Sequence, residues 1–279
     1  MGEIMISVRH FLFRCFVAIW LLALLYQGNA SRTCPRDCDC NDAALIVRCH
    51  RTAVLDYVPH TLNPAVRELY LSHNNIRQIK SSFEFYKNLF TLDLTSNGLQ
   101  SLGERNFATN SKLERLVIAQ NNISGILQHT FDGLQLLKKL DLSQNQLQNI
   151  NSGVFQPLKA LQVLDLSYNQ IIDFQQDAFM GLSSLVHLNL SNNHIAQLSP
   201  SLFAPLSVLI NMNLSSNRLA QLENDQFQSL RDLQTLDISS CVIVTVQEFA
   251  LRGLNSLLFI SMHSNHLQVS LFCLYFVLL

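Results

Sequence analysis

Four cysteines crowd into the stretch CPRDCDCNDAALIVRC, as Cys34, Cys38, Cys40 and Cys49. Thiols this close have two chemistries open to them. As thiolates they can hold a tetrahedral zinc ion, and as thiols in an oxidising compartment they pair into disulfides. The compartment decides between the two, and the first thirty residues speak to it. Arg9, His10 and Arg14 precede an almost unbroken apolar run from Cys15 to Tyr26, and Gly28-Asn29-Ala30 then offers a small-x-small cleavage site before Ser31. This is the layout of a secretory signal peptide, and its apolar run is shorter than the ~20 residues that a bilayer span needs. Residues 1–30 are therefore expected to be a signal peptide, and the cysteines to form disulfides. Four cysteines allow three pairings, among which spacing does not choose.

Little else in the chain has the makings of a reactive centre. His263 and His266 are three residues apart, but no third ligand accompanies them, so no metal site is expected there. The patterns G-x-S-x-G and H-E-x-x-H and the phosphate-binding loop are absent from the sequence, so neither an enzyme nor a cofactor is expected. The formal net charge is -1, with 14% charged residues. The densest basic pair in the repeated region is Lys138-Lys139, and no clustered basic face for a nucleic acid emerges. Three sequons, Asn122-Ile-Ser, Asn189-Leu-Ser and Asn213-Leu-Ser, are candidate N-glycosylation sites.

The elements that must position these residues declare themselves by repetition. LDLSQNQL at Leu140–Leu147 returns as LDLSYNQI at Leu164–Ile171, 24 residues on. Asn74, Asn97, Asn121, Asn145, Asn169, Asn193, Asn217 and Asn265 fall in one column, and Cys241 fills the slot between the last two. Around each of them the frame is L-x-x-L-x-L-x-x-N-x-L-x-x-L. The L-x-L core alternates with period two, as a short strand with one buried face must. A single repeat cannot bury its leucines, whereas stacked neighbours can. After each strand the chain turns and leaves interior backbone groups without partners. A buried carboxamide has the donors and the acceptor to satisfy them, so the asparagine column reads as a structural ladder, with Cys241 a buried free thiol in it. Phe107, Phe131, Phe155, Phe179, Phe203 and Phe227, then Leu251, recur on the return side and predict an aromatic spine.

From Val66 to about Leu267 this pattern resembles the extracellular leucine-rich repeat family of the 24-residue class. Its cysteine stretch is similar to the family's N-terminal cap, C-P-x-x-C-x-C. The resemblance implies an α/β solenoid, a horseshoe with a parallel β-sheet on the concave face and loops or short helical turns on the convex face. It implies the pairings Cys34–Cys40 and Cys38–Cys49, a cap over residues 31–65 and nine repeats over 66–270. Relatives are adhesion molecules, guidance or synaptic receptors, and Toll-like immune receptors, and the cap fits the adhesion and guidance group better. The expected function is binding of an extracellular protein ligand or cell-surface receptor, by a chain that is secreted or displayed outside the cell. A secreted decoy or a matrix-binding regulator is the alternative, and a homodimer is compatible with either. The apolar tail 271–279, which includes Cys273, is too short to span a bilayer. It reads as the end of a truncated form of a longer receptor, as a crude hydrophobic cap, or as a dimerisation or membrane-contact element.

Recognition is expected in the residues that vary between the leucines. One concave column contains Asp141, Asp165 and Asp237, for which a solvated face is the simplest reading. Val163, Val186 and Ile210 are apolar where exposure is expected, and with Tyr168 they form a candidate contact patch. Asn189 and Asn213 fall in the concave column on adjacent repeats. Glycans on both would close that stretch and move recognition to the N-terminal repeats or a lateral edge.

Overall fold

A computed structural model describes residues 34–49 and 55–267. The signal-peptide reading of 1–30 and the tail 271–279 with Cys273 lie outside the described residues. The strands in chain order are β1 (Asp39–Asn41), β2 (Ile46–Arg48), β3 (Glu68–Tyr70), β4 (Thr91–Asp93), β5 (Arg115–Val117), β6 (Lys139–Asp141), β7 (Asn149–Ile150) and β8 (Val163–Asp165). They continue with β9 (Asp173–Phe174), β10 (His187–Asn189), β11 (Asn211–Asn213), β12 (Gln221–Leu222), β13 (Thr235–Asp237), β14 (Thr245–Val246) and β15 (Phe259–Ser261).

Each repeat forms a three-residue strand centred on the first leucine (or Met212 or Ile260) of its L-x-L core, which points inward. Nine of these strands stack in sequence order and parallel, from β3 to β15. Pairing is in register, with Leu140 against Leu164 and Leu164 against Leu188, because these coils share the 24-residue length. The cap lengthens this sheet. β1 and β2 form an antiparallel hairpin, and β2 pairs parallel with β3, which makes eleven strands in one sheet. Its disulfides are Cys34–Cys40 and Cys38–Cys49, the pairings implied by the resemblance. Val47 and Cys49 are buried and cover the end of the first repeat. On the return side the described residues form turns and two small ladders, β7 with β9 and β12 with β14, with no helix among them.

The core is one continuous column of leucine, isoleucine and phenylalanine side chains. The aromatic spine is present: Phe131–Phe155, Phe179–Phe203 and Phe203–Phe227 are near-parallel, with centroids 5.9, 6.1 and 6.1 Å apart. It starts one repeat earlier than the expected column, because Phe83 stacks on Phe107 at 5.7 Å. Leu251 at the far end is only partly buried, as are Leu254 and Leu257 beside it. Coils pack closely enough to exclude a methyl group in places. Gly181 has φ +100°, and a Cβ there would lie 2.6 Å from Gln156 backbone atoms. Glycine suits both the dihedral and the approach. Near the cap, Tyr86 is fully buried and donates its hydroxyl to Pro59 O. Burial pushes its pKa up to about 12.

The asparagine ladder closes the interior accounts of the backbone. Asn169 Nδ2 reaches Leu142 O and Leu166 O at 3.0 Å and Ser167 O at 3.2 Å, while its Oδ1 accepts from Leu147 N at 3.0 Å. One side chain thus serves its own turn and the preceding coil. The arrangement repeats from Asn74, which also reaches Cys49 O and so ties the cap to the first repeat, through Asn217. Asn265 repeats it while partly exposed. At Cys241 the thiol donates to Leu214 O at 3.1 Å and Ser239 O at 3.4 Å. Burial raises the pKa of this thiol, so it stays protonated and able to donate. What it lacks is a carboxamide oxygen for the Leu219 N–H, the donor that matches Leu147 N in this coil. Cys241→Asn should therefore raise stability by about 1 kcal/mol. The check is the midpoint of urea unfolding, which should move up without a change in slope.

Candidate binding surface

Between the inward leucines, each concave strand offers two outward residues. Eleven strands about 4.8 Å apart make a face roughly 48 Å long. One row runs Glu68, Thr91, Arg115, Lys139, Val163, His187, Asn211, Thr235, Phe259, and the row beside it contains Tyr70, Asp93, Val117, Asp141, Asp165, Asn189, Asn213, Asp237 and Ser261. The cap contributes Arg48, a position the sequence reading did not reach. The signal was the alternation Ile46-Val47-Arg48, half-buried, buried, exposed, ahead of Cys49.

The face divides into two halves of different chemistry. In the N-terminal half the Arg48 guanidinium lies 5.0 Å from the centre of the Tyr70 ring, and Tyr70 donates its hydroxyl to Glu68 at 2.9 Å. Burial and then the bond to Glu68 raise the Tyr70 pKa, so its hydroxyl stays protonated at neutral pH. Arg115 and Lys139 stand side by side in register on β5 and β6. Like charges facing each other across strands are unfavourable, so an incoming anionic group would relieve this pair.

The C-terminal half has no lysine or arginine between Val163 and Ser261 in either row. It is lowered into a depression of about 370 Å³, lined by Val163, Asp165, His187, Asn189, Asn211, Asn213, Thr235, Asp237 and Phe259 among others. The floor is hydrogen-bonded: Asn211 Nδ2 and His187 Nδ1 are 2.8 Å apart, and Thr235 donates its hydroxyl to Asn211 Oδ1. Phe259, at the end of the row, is 60% exposed.

The polar column has a structural duty as well. Asp141, Asp165 and Asp237 each accept through Oδ1 from the N–H and the hydroxyl of the serine two residues on. Asn213 does the same with Ser215, and Asn189 accepts from Ser191 N. These are Asx turns that shape the exit from each strand. One carboxylate oxygen of each Asp is therefore committed to its own turn, and the second oxygen of Asp165 accepts from Asn189 Nδ2 at 3.2 Å.

The four residues of the candidate apolar patch occupy different positions in their repeats. Val163, Val186 and Ile210 are all half-buried, but Val163 is a strand residue that lines the depression, whereas Val186 and Ile210 immediately precede their strands. Tyr168 lies past the other end of its strand. It stands three residues beyond Asp165, the last residue of β8. Tyr168 is 58% exposed and has φ +53°. It shares that left-handed conformation with His73, Ser96, Gln120, Gln144, Asn192, Ser216, Ser240 and Ser264. From His73 to Ser240, each residue of this column donates its N–H to the next coil, as Tyr168 N does to Ser191 O at 3.0 Å.

Asn122 is exposed beyond its turn, while Asn189 and Asn213 are half-buried in the depression. His263 and His266 are exposed, and among the described residues no group of three His, Cys, Asp or Glu side chains could hold a metal ion. No helix among them is long and apolar enough to cross a membrane.

A rigid solenoid with a variable face is the architecture of a binding protein, and comparison with known proteins agrees. A family profile described as "Leucine rich repeat" matches residues 87–147, 111–171, 135–195, 169–219 and 207–267. The chain belongs to the leucine-rich repeat family. It is 34% identical over 99 residues to human (Homo sapiens) reticulon-4 receptor-like 2, a match that covers 36% of this chain and 23% of that protein. Among solved structures it is similar to the TLR13–ssRNA13 complex, with TM-score 0.59 and 26% identity over 74% of this chain and 33% of that one. It also shares the fold of the mouse RP105/MD-1 complex, with TM-score 0.68 and 22% identity over 76% and 37% of the two chains. The chain thus spans about a quarter of the curated relative and about a third of each solved chain.

Proposed function

We propose that this chain is an extracellular recognition module that binds a protein ligand or a cell-surface receptor through its concave face, in adhesion or guidance. The observation that carries this reading is the contrast between interior and face. Buried positions repeat from coil to coil, whereas the concave row from Glu68 to Phe259 changes charge, size or polarity at nearly every strand on the same rigid frame. The similarity to reticulon-4 receptor-like 2 and the two-disulfide cap support the adhesion and guidance side. The similarity to the TLR13 chain supports innate immune recognition as a second reading. A secreted decoy would use the same face.

The test is a binding screen. The chain, produced through a secretory host, is offered to an array of cell-surface and secreted ectodomains, and hits are measured by biosensor. Reversing charge at the centre of the open face, Arg115→Glu with Lys139→Glu, should weaken a hit by about tenfold or more. Lys159→Glu, outside the concave rows, should leave it unchanged. Equal effects of the two changes, or an array without a hit, would overturn the reading.

A further inference from the structure

We infer that Asn213 carries an N-linked oligosaccharide seated in the concave depression, so that repeats five to eight are closed to a protein partner and recognition is confined to the N-terminal half of the face. This rests on the reading of the chain as an exported binding module. The sequon Asn213-Leu-Ser supplies the motif, and the geometry adds what the motif does not. Asn213 Oδ1 is held by Ser215 N at 2.9 Å and by the Ser215 hydroxyl at 2.7 Å. The carboxamide plane is therefore fixed. Its nitrogen makes no hydrogen bond among the described residues and faces a depression of about 370 Å³. That volume lies within the ~300–1,000 Å³ of small-molecule sites, room for the first sugars of a glycan.

The walls suit a sugar. Phe259 offers an exposed ring for the C–H face of a pyranose. Asp237 Oδ2 and the Asn211 amide offer an acceptor and a donor to its hydroxyls. Asn189, the neighbouring sequon, differs. Its nitrogen donates to Asp165 Oδ2 at 3.2 Å, so a sugar there must disturb an existing contact, whereas at Asn213 it disturbs none.

The modification is a group transfer from a lipid-linked pyrophosphoryl oligosaccharide during export. Asn213 Nδ2 forms the bond to C1 of the first N-acetylglucosamine. The C1–oxygen bond to the pyrophosphate breaks, the lipid pyrophosphate leaves with the electron pair, and one amide proton is released. The remaining N–H stays on the nitrogen, and Oδ1 keeps its bonds to Ser215.

Two measurements on the full chain secreted from a eukaryotic host test this. In the first, peptide-N-glycosidase digestion in heavy-oxygen water, followed by peptide mapping, should convert Asn213 to labelled aspartate; unmodified Asn213 in secreted protein would overturn the inference. In the second, diethyl pyrocarbonate labels exposed histidines before and after enzymatic removal of the glycan. His187, in the depression, should label several-fold faster once the glycan is gone, while His73, on the opposite half, should not change. Ser215→Ala, which removes the sequon and keeps Asn213, should give the fast His187 rate from the start. Equal His187 rates with and without the glycan would overturn the seating. An unmodified Asn213 in a protein whose partner still binds through Arg115 and Lys139 would sink this inference alone and leave the proposed function standing.

Discussion

Phe179→Ala should destabilise the solenoid by about 3–5 kcal/mol. Phe179 has no exposed surface, stacks on Phe203 at 6.1 Å and leans on Phe174 at 5.2 Å. Truncation removes the ring's buried area and leaves a cavity between coils whose backbones are already locked in register, so the site cannot collapse to fill it. The position of the defect shapes the outcome. Stability in a repeat array is close to a sum of neighbour contacts, and a weak interface in the middle uncouples the repeats on its two sides. Urea unfolding followed by circular dichroism should show a lower midpoint and a shallower slope than the parent. A loss below about 1 kcal/mol would mean that the spine is filler, with stability resting elsewhere.

Asn169 is the second sensitive point, and its variants should rank in an informative order. Asn169→Ala strips three carbonyls and one N–H of their partners in the interior, at a cost of about 3 kcal/mol. Asn169→Asp should be worse, because a carboxylate accepts only and would face three carbonyl oxygens. Asn169→Cys should be mildest, because Cys241 shows that a thiol at this position donates to the equivalent carbonyls. Thermal melts of the three secreted variants give the ranking. An Asp variant as stable as the Cys variant would refute the donor role assigned to the amide.

The two variants probe different layers of one code, and the code was legible to different depths. Leucine spacing, the asparagine column and most of the phenylalanine column are interior positions. Every coil meets the same neighbours there, so a residue's letter and its place in the period fix its surroundings. The cap strand with Arg48 was harder to read, because β2 precedes the period and only its pairing with β3 brings it into the sheet. Phe83 was missed although it lies 24 residues before Phe107, since the shorter first coil obscures the frame there.

The candidate surface was less legible still. Sequence order placed Val163 and Tyr168 five positions apart, but did not show the end of the strand after Asp165 or the left-handed turn at Tyr168. The aspartate column looked like free charge until its Asx turns were visible. The depression became visible only where Asp165, His187, Asn189, Asn211 and Asn213, from neighbouring strands, line one hollow between Val163 and Phe259. By itself the sequence determined the solenoid, its repeat number and its buried ladder, because those depend on contacts that recur at a fixed spacing. Only the tertiary structure decided which variable side chains share a rim, which are tied into turns and which line a common hollow, because those relations cross between coils and depend on where each strand ends.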